Sequence, residues 1–242
     1  MAVQFSSSAQ QEIKFSAPTN ALGLTSKTIF LNYTPASDTQ RTLMYIVPVD
    51  QVLDTDEYNR VQHYTGRKLE FVAHFSTMDG IWRTTNACLT LNAENKIMIV
   101  YDGASTANNP TIYVNGVSVA VTRTVAPSGT YRSGTSGMAI YIGGIAGLVS
   151  APDGKIKDVR IYSGSKTSGQ ALSIASEVLE SSQNIDETNL KFHASLSMCK
   201  DLTYSALYGT PFAGATLGSS NEFYDRINGY VGVPSGSPVG AS

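Results

Sequence analysis

Carboxylates are the first residues to test for chemistry, because two of them flanking a glycosidic bond suffice to hydrolyse it, one as acid and the other as nucleophile or base. Among nineteen Asp and Glu, none falls in the Glu-x-Asp-x-x-Glu spacing that would set such a pair along one strand. The nearest cluster, Asp54, Asp56 and Glu57, sits in a polar turn and lacks the third ligand and the glycine of a Ca²⁺ loop, so it reads as solvated surface. Ser163 to Lys166 and Ser197 to Lys200 match Ser-x-x-Lys, but a Ser-rich chain gives such matches by chance and the companion motifs of the penicillin-interacting enzymes are missing. His63, His74 and His193 lie on separate segments without metal-ligand spacing. Cys88 and Cys199 have no Cys-x-x-Cys partner and read as buried free thiols, with one long-range bridge the lesser alternative. No Gly-rich phosphate loop is present. The reading is therefore non-enzymatic, with no cofactor, no metal site assigned and Ca²⁺ left open. What remains is binding chemistry: Trp82 and Tyr131 as aromatic faces for a sugar ring, and Asp102 as an acceptor for a sugar hydroxyl or a ligand to Ca²⁺. Each has a plainer reading, since aromatics fill cores and an Asp before Gly is first a turn former.

These residues need a scaffold, and the pattern from about 12 to 162 supplies one. It has period two broken by turn residues, the mark of many short antiparallel strands. Thr28 to Thr34 and Leu43 to Val49 are two runs, the second interrupted by Pro48. Leu69, Phe71, Ala73 and Phe75 fall on one face, which should be core, and a strand is expected around Ala87 to Leu91. Asn115-Gly116 between alternating runs predicts a type I′ hairpin, with Val117, Val119 and Val121 resuming the alternation. A Ser/Gly-rich loop from Ser128 to Gly137 leads to Met138–Ile142, and Ile156–Tyr162 closes the series. Ala171, Leu172, Ala175, Val178 and Leu179 have helical spacing, predicting one helix near 168–182 with Ser168 available as its cap. Leu190 to Met198 alternates cleanly as one more strand, with His193 on its polar face. Residues 201–225 are aromatic and Gly-rich without a period, and 226–242 has the composition of an extended arm.

Seventeen Lys and Arg against nineteen Asp and Glu argue against a nucleic-acid partner. No apolar run approaches a membrane span. Only 15% of residues are charged, while 28 Ser, 23 Thr and 21 Gly put short neutral hydrogen-bonding groups on the exterior. That surface suits an extracellular, adhesive or lattice-forming protein.

The segments IMIVYDG, PTIYVNGV, AIYIGG and DGKIKDVRIY resemble the laminin G-like branch of the concanavalin A-like lectin and glucanase superfamily. The matching positions are Tyr101-Asp102-Gly103, Tyr113-Val114-Asn115-Gly116, Ile142-Gly143 and Gly154 to Tyr162, with Leu172-Ser173 fitting the helix that follows. The resemblance is carried by residues 97–162. It implies an all-β, two-sheet antiparallel jelly-roll sandwich with a short helix after its last strand and does not extend beyond about residue 185; together with the strand pattern it gives a domain over 1–200, and composition gives the irregular extension and arm over 201–242. The resemblance says little about activity, because such sandwiches serve lectins, enzymes and structural modules.

Two functions fit. The first is a structural surface protein of a phage virion, a capsid decoration or tail-associated subunit made in the host cytoplasm without a signal peptide. Its partners would be other virion subunits or further copies of itself in a lattice. Seventeen arm residues could span roughly 50 Å in extended form, with Arg226, Tyr230, Pro234 and Pro238 as contacts to neighbours. The alternative is an extracellular lectin module for a cell-surface glycan, its site in rim loops near Trp82, Asp102 and the Ser128–Gly137 loop.

Overall fold

The computed structural model describes residues 2–5, 12–17, 23–48, 59–132, 138–144, 151–176, 188–196, 223–224, 231–235 and 239–241. The strands are β1 (Ala2–Phe5), β2 (Glu12–Ala17), β3 (Ser26–Pro35), β4 (Arg41–Pro48), β5 (Asn59–Tyr64), β6 (Lys68–Ala73), β7 (Gly80–Thr84), β8 (Asn95–Asp102), β9 (Thr111–Val114), β10 (Val117–Val119), β11 (Val121–Val125), β12 (Met138–Gly143) and β13 (Gly154–Ser163). After the helix α1 (Ser168–Ser176) come β14 (Leu190–Ser195), β15 (Phe223–Tyr224), β16 (Val231–Ser235) and β17 (Val239–Ala241). They form two antiparallel sheets. The eight-stranded sheet runs β10-β9-β8-β3-β13-β1-β17, with β14 also on β13, and the nine-stranded sheet runs β11-β7-β6-β5-β4-β12-β2-β16-β15.

Alternation decides what lies between the sheets. Ile29, Leu31 and Tyr33 of β3, Ile97, Ile99 and Tyr101 of β8, and Ile156, Val159 and Ile161 of β13 meet Val61, Leu69, Phe71, Trp82, Ile140 and Ile142 from the other sheet in one buried cluster. The expected Leu69, Phe71, Ala73 and Phe75 face lies in that core. On the far face of the eight-stranded sheet, Ala171 and Ile174 of α1 pack with Phe30, Met98, Tyr113, Tyr162 and Leu190.

Local chemistry explains the joints. Asn115 (φ 52°) and Gly116 (φ 79°) both take positive φ, as a type I′ turn demands. A Cβ on Gly116 would stand 2.8 Å from Leu172 Cδ1, so the hairpin tip is also where α1 rests on the sheet. The cap of α1 is Thr167, one residue before the expected Ser168. Its Oγ1 accepts from Gln170 N at 3.3 Å, and its N–H donates to Gln170 Oε1 at 2.9 Å, a reciprocal capping box.

Several expectations change. Ala87–Leu91 is a loop, because Cys88 N and Leu89 N both donate to Arg67 O and the Asn95 amide binds the backbone of Thr90 and Ala93. The alternating Val117–Val121 run is split at Ala120, and the chain crosses from the edge of one sheet to the edge of the other. Leu172, expected on the buried face of α1, is 59% exposed. Within the composition-biased tail, β16 pairs with β2 and β17 with β1, so parts of the arm run along this chain's own sheets. Pro234 lies in β16 opposite Ile13. Arg226, Tyr230, Pro238, Cys199, the Asp54 cluster and residues 177–182 lie outside the described residues. Cys88 is a free, half-buried thiol.

Candidate functional site

Trp82, Asp102 and Tyr131 do come together, at one end of the sandwich, but the two aromatic rings face inward. Trp82 stacks with Phe71 (centroids 6.1 Å apart) and tilts against Tyr101 (5.1 Å), which packs on Tyr131 (6.2 Å), itself edge-on to Phe75 (5.4 Å). Trp82 is 0% and Tyr131 7% exposed, so neither offers an open face for a sugar ring. Tyr131 arrives on a loop fixed to the β6–β7 connection by Ser76 N donating to Thr130 O at 2.9 Å, and it covers Gly103, where a Cβ would stand 2.5 Å from its ring. Only 128–132 of the Ser128–Gly137 loop is among the described residues.

Beneath Tyr131 lies a lysine. Lys27 is in phase with Ile29, Leu31 and Tyr33 and is therefore carried into the core, 1% exposed. Its Nζ donates to Tyr131 Oη at 2.8 Å, Asn59 Nδ2 donates to the same oxygen at 3.0 Å, and Tyr131 Oη donates to Asn59 Oδ1 at 3.3 Å. Burial lowers the Lys27 ammonium to about 7. Burial likewise holds the Tyr101 and Tyr131 phenols above the usual range. Tyr101 Oη is buried without a hydrogen-bond partner.

The surface above this cluster is the loop 103–110. Asp102 Oδ1 accepts from Ala104 N at 3.0 Å, the turn-forming bond expected of an Asp before Gly. Asn108 Nδ2 donates to Asp102 O at 3.0 Å. Asn109 Oδ1 accepts from Trp82 Nε1 and from Arg123 Nε, each at 2.8 Å, and Arg123 Nη2 donates to Ala107 O at 2.7 Å. Arg123 belongs to β11 of the nine-stranded sheet and the loop leaves β8 of the other, so this guanidinium ties the sheets together. Ser105, Ala107 and Asn109 are exposed, and Asp102, Thr106 and Asn108 half-buried.

Asp158, His193, His63, Asp38 and His74 are tied into the fold. Asp158 is fully buried on the outer face of β13. Its Oδ2 accepts from Arg160 Nε and its Oδ1 meets His193 Nε2, at 2.8 and 2.9 Å. Burial pushes the Asp158 carboxyl up, but His193 and Arg160 outweigh it and leave the group below its ordinary range. His193 is thus buried on the face its strand pattern marked as polar. His63 Nδ1 lies 3.3 Å from Tyr33 Oη and its Nε2 3.4 Å from Asp38 Oδ1, while Asp38 also accepts from Gly66 N and Arg67 N. His74 pairs with Asp79. Among the described residues no group of three His, Cys, Asp or Glu could hold a metal ion.

Sequence reasoning missed Lys27, Asn59, Asn109 and Arg123. The phase of SKTIFLNY already placed Lys27 inward, whereas the other three depend on contacts across the sheets.

The family model described as the concanavalin A-like lectin/glucanases superfamily matches residues 7–171. No curated protein matches closely enough to count as a relative. Among solved structures, a putative carbohydrate binding protein from Bacteroides ovatus is similar with TM-score 0.60 and 18% identity, covering 99% of this chain and 61% of that one. The CBM40 of the Ruminococcus gnavus IT-sialidase, bound to α2,3-sialyllactose, gives TM-score 0.51 and 13% identity over 72% of this chain and 95% of that one. The enzymatically active domain of bacteriophage CBA120 tailspike protein 2 gives 0.57 and 12%, over 80% of this chain and 29% of that one. At these identities the likeness is one of fold.

Proposed function

Because the chain belongs to the concanavalin A-like lectin/glucanases superfamily, we propose that it is a non-enzymatic glycan-binding module whose contact surface is the rim loop 103–110 with Asp102. The observation that carries this is the anchoring of that loop by Asn109 and Arg123 to the Trp82 end of the sandwich. The anchor holds a run of neutral amides and hydroxyls in one shape before any ligand arrives, which spares the ordering cost of binding. Such groups match sugar hydroxyls, which both donate and accept. The carbohydrate-binding proteins among its structural neighbours support the ligand class. The buried Asp158 supports a role without hydrolysis: His193 and Arg160 hold its carboxyl below the ordinary range, so it is not poised as a proton donor.

Glycan-array binding of the intact chain tests this. Asp102→Ala and Asn108→Ala should each weaken the strongest signals by about tenfold, the loss of one or two good hydrogen bonds, with the unfolding temperature little changed. Binding untouched by both would place the site elsewhere. A glucan panel incubated with the protein should release no reducing sugar.

A second reading is a surface protein of a phage virion, attached to other subunits or to further copies through its terminal segments. The neutral Ser/Thr/Gly surface and the fold shared with a tailspike domain support it. The two readings are compatible, since a particle's outer protein can carry a glycan-binding loop.

A further inference from the structure

Lys27 and Asn59 belong to different sheets, β3 of the eight-stranded one and β5 of the nine-stranded one, yet both reach a single oxygen in the core between them. Lys27 Nζ donates to Tyr131 Oη at 2.8 Å and Asn59 Nδ2 donates to it at 3.0 Å, while the phenol's own hydrogen goes to Asn59 Oδ1 at 3.3 Å. All three side chains are shut away from water: Lys27 is 1%, Asn59 2% and Tyr131 7% exposed. Aromatic rings stand around them, Phe75 at 5.4 Å from the Tyr131 ring and Tyr101 at 6.2 Å, the latter opposite Lys27 in the β3–β8 register. Among the described residues Tyr131 Oη is the one acceptor of Lys27 Nζ, and no carboxylate pairs with it. An unpaired ammonium is costly to bury. The form that fits here is the neutral amine, which is a nucleophile.

We infer that Lys27 and Asn59 become joined by an intramolecular amide bond between Nζ and Cγ, a covalent tie across the two sheets. The Lys27 lone pair attacks Asn59 Cγ, the new C–N bond forms, the Cγ–Nδ2 bond breaks and ammonia leaves. An amine and a primary amide thus become a secondary amide and ammonia, with no oxidant, reductant or co-reactant. Tyr131 supplies the acid–base chemistry. Its O–H points at Oδ1, where negative charge develops in the tetrahedral intermediate. Its oxygen touches both nitrogens, so it can take a proton from Nζ and return one to the departing Nδ2. Burial keeps the phenol protonated and lowers the Lys27 ammonium to about 7, so donor and nucleophile are both in the required state at neutral pH. Holding the two groups on facing sheets supplies the proximity that an amine and an amide lack in water. Excluding water removes the competing hydrolysis of Asn59 to a carboxylate. The bond would lie beneath Tyr131, which covers Gly103 at the start of the rim loop, so it locks the end of the sandwich that carries that loop.

Mass spectrometry of the full natural chain, purified and held for days at about pH 8, where the amine is free, tests this. The expected mass is about 17 Da below that of the sequence, one ammonia lost. Trypsin should then leave residues 15–41 joined to 42–60 as one branched peptide, uncut after Lys27. Lys27→Met and Asn59→Ala should each restore the full sequence mass, and Tyr131→Phe should slow the loss of ammonia from freshly synthesised chain by about tenfold or more. Natural protein that keeps its full sequence mass overturns the inference without recourse to any variant. A loss of ammonia that maps to other residues, or that persists in Asn59→Ala, overturns it equally, and an unchanged rate in Tyr131→Phe overturns the part given to the phenol. None of these outcomes bears on the glycan-binding reading, which the array and Asp102→Ala decide separately.

Discussion

Two buried charges show how sequence position and energetic role come apart. Lys27 follows the core phase of its strand, and its neutral amine is what the interior tolerates. Its ammonium falls from 10.5 to about 7 on folding. Between those values the unfolded chain binds a proton that the folded chain does not, so stability rises with pH by up to about 1.4 kcal/mol per unit. Below about 7 both states are protonated and the penalty is constant. Buried Tyr33, Tyr101 and Tyr131 act in the opposite sense at higher pH, because their phenols ionise more readily in the unfolded chain, from about 10 upward. Thermal unfolding followed from pH 7 to 9.5 should therefore show a rising midpoint in Asn59→Ala, where the amine stays free, and a flatter line in Lys27→Met. Parallel slopes would mean that Lys27 keeps its charge in the fold. Asp158 is the reverse case: its carboxyl is lowered, so its contribution is present above the unfolded value near 4 and lost as pH falls through the folded one. Asp158→Asn leaves Arg160 buried with its carboxylate gone and should cost about 3–5 kcal/mol in chemical denaturation. A cost under about 1 kcal/mol would show that other groups balance the guanidinium.

At the scale of elements, what could be read beforehand is what local chemistry decides. The Asn115-Gly116 turn, the inward face of Leu69 to Phe75 and the presence of a helix from Ser168 follow from side-chain period and backbone freedom within a few residues, although Leu172 of the expected helical face is exposed. The Ala87–Leu91 segment failed as a strand because the N–H groups of Cys88 and Leu89 are claimed by Arg67 O, an acceptor on the far side of β7 that no local pattern reveals. Trp82 was legible as an aromatic but not as a buried one, since its alternation with Ile81 and Arg83 suits either face. The cluster of Lys27, Asn59 and Tyr131 was invisible for a similar reason: its members come from β3, β5 and the 128–132 loop and meet only where the two sheets pack. Gly116 offers a test of the α1 contact. Gly116→Ala adds a Cβ at positive φ, 2.8 Å from Leu172 Cδ1 and 3.1 Å from Leu172 Cα, and should destabilise by at least about 1 kcal/mol. The same change in a Leu172→Ala background should cost less, because the flexible contact is gone. Equal costs in both backgrounds would assign the whole effect to the turn.

For the whole molecule the tail matters most, because its composition suggests an arm free to reach a neighbour while parts of it complete the sandwich. Four register positions join β16 to β2 (Gly232, Val233, Pro234 and Ser235 opposite Phe15, Lys14, Ile13 and Glu12), and three join β17 to β1. Sheet pairing of this kind needs no apolar stripe in the added strand, so a Gly/Pro/Ser sequence can enter it wherever an edge is vacant. The terminal strands β1 and β2 supply those edges, one in each sheet. Removing residues 226–242 would strip both partners away and leave two strands with unpaired backbone groups, a template for association with other chains. With each net hydrogen bond contributing about 0.5–1.5 kcal/mol, the loss amounts to a few kcal/mol, or roughly 5–10 °C in the unfolding midpoint of a domain this size. The truncated protein should also form concentration-dependent oligomers by light scattering that the full chain does not. An unchanged midpoint with a monomeric product would mean that the tail is dispensable to the fold and available for a neighbouring subunit, the outcome that favours the virion reading. A lowered midpoint ties most of the tail's reach to its own domain, and any particle contact must then be made by the finished sandwich surface.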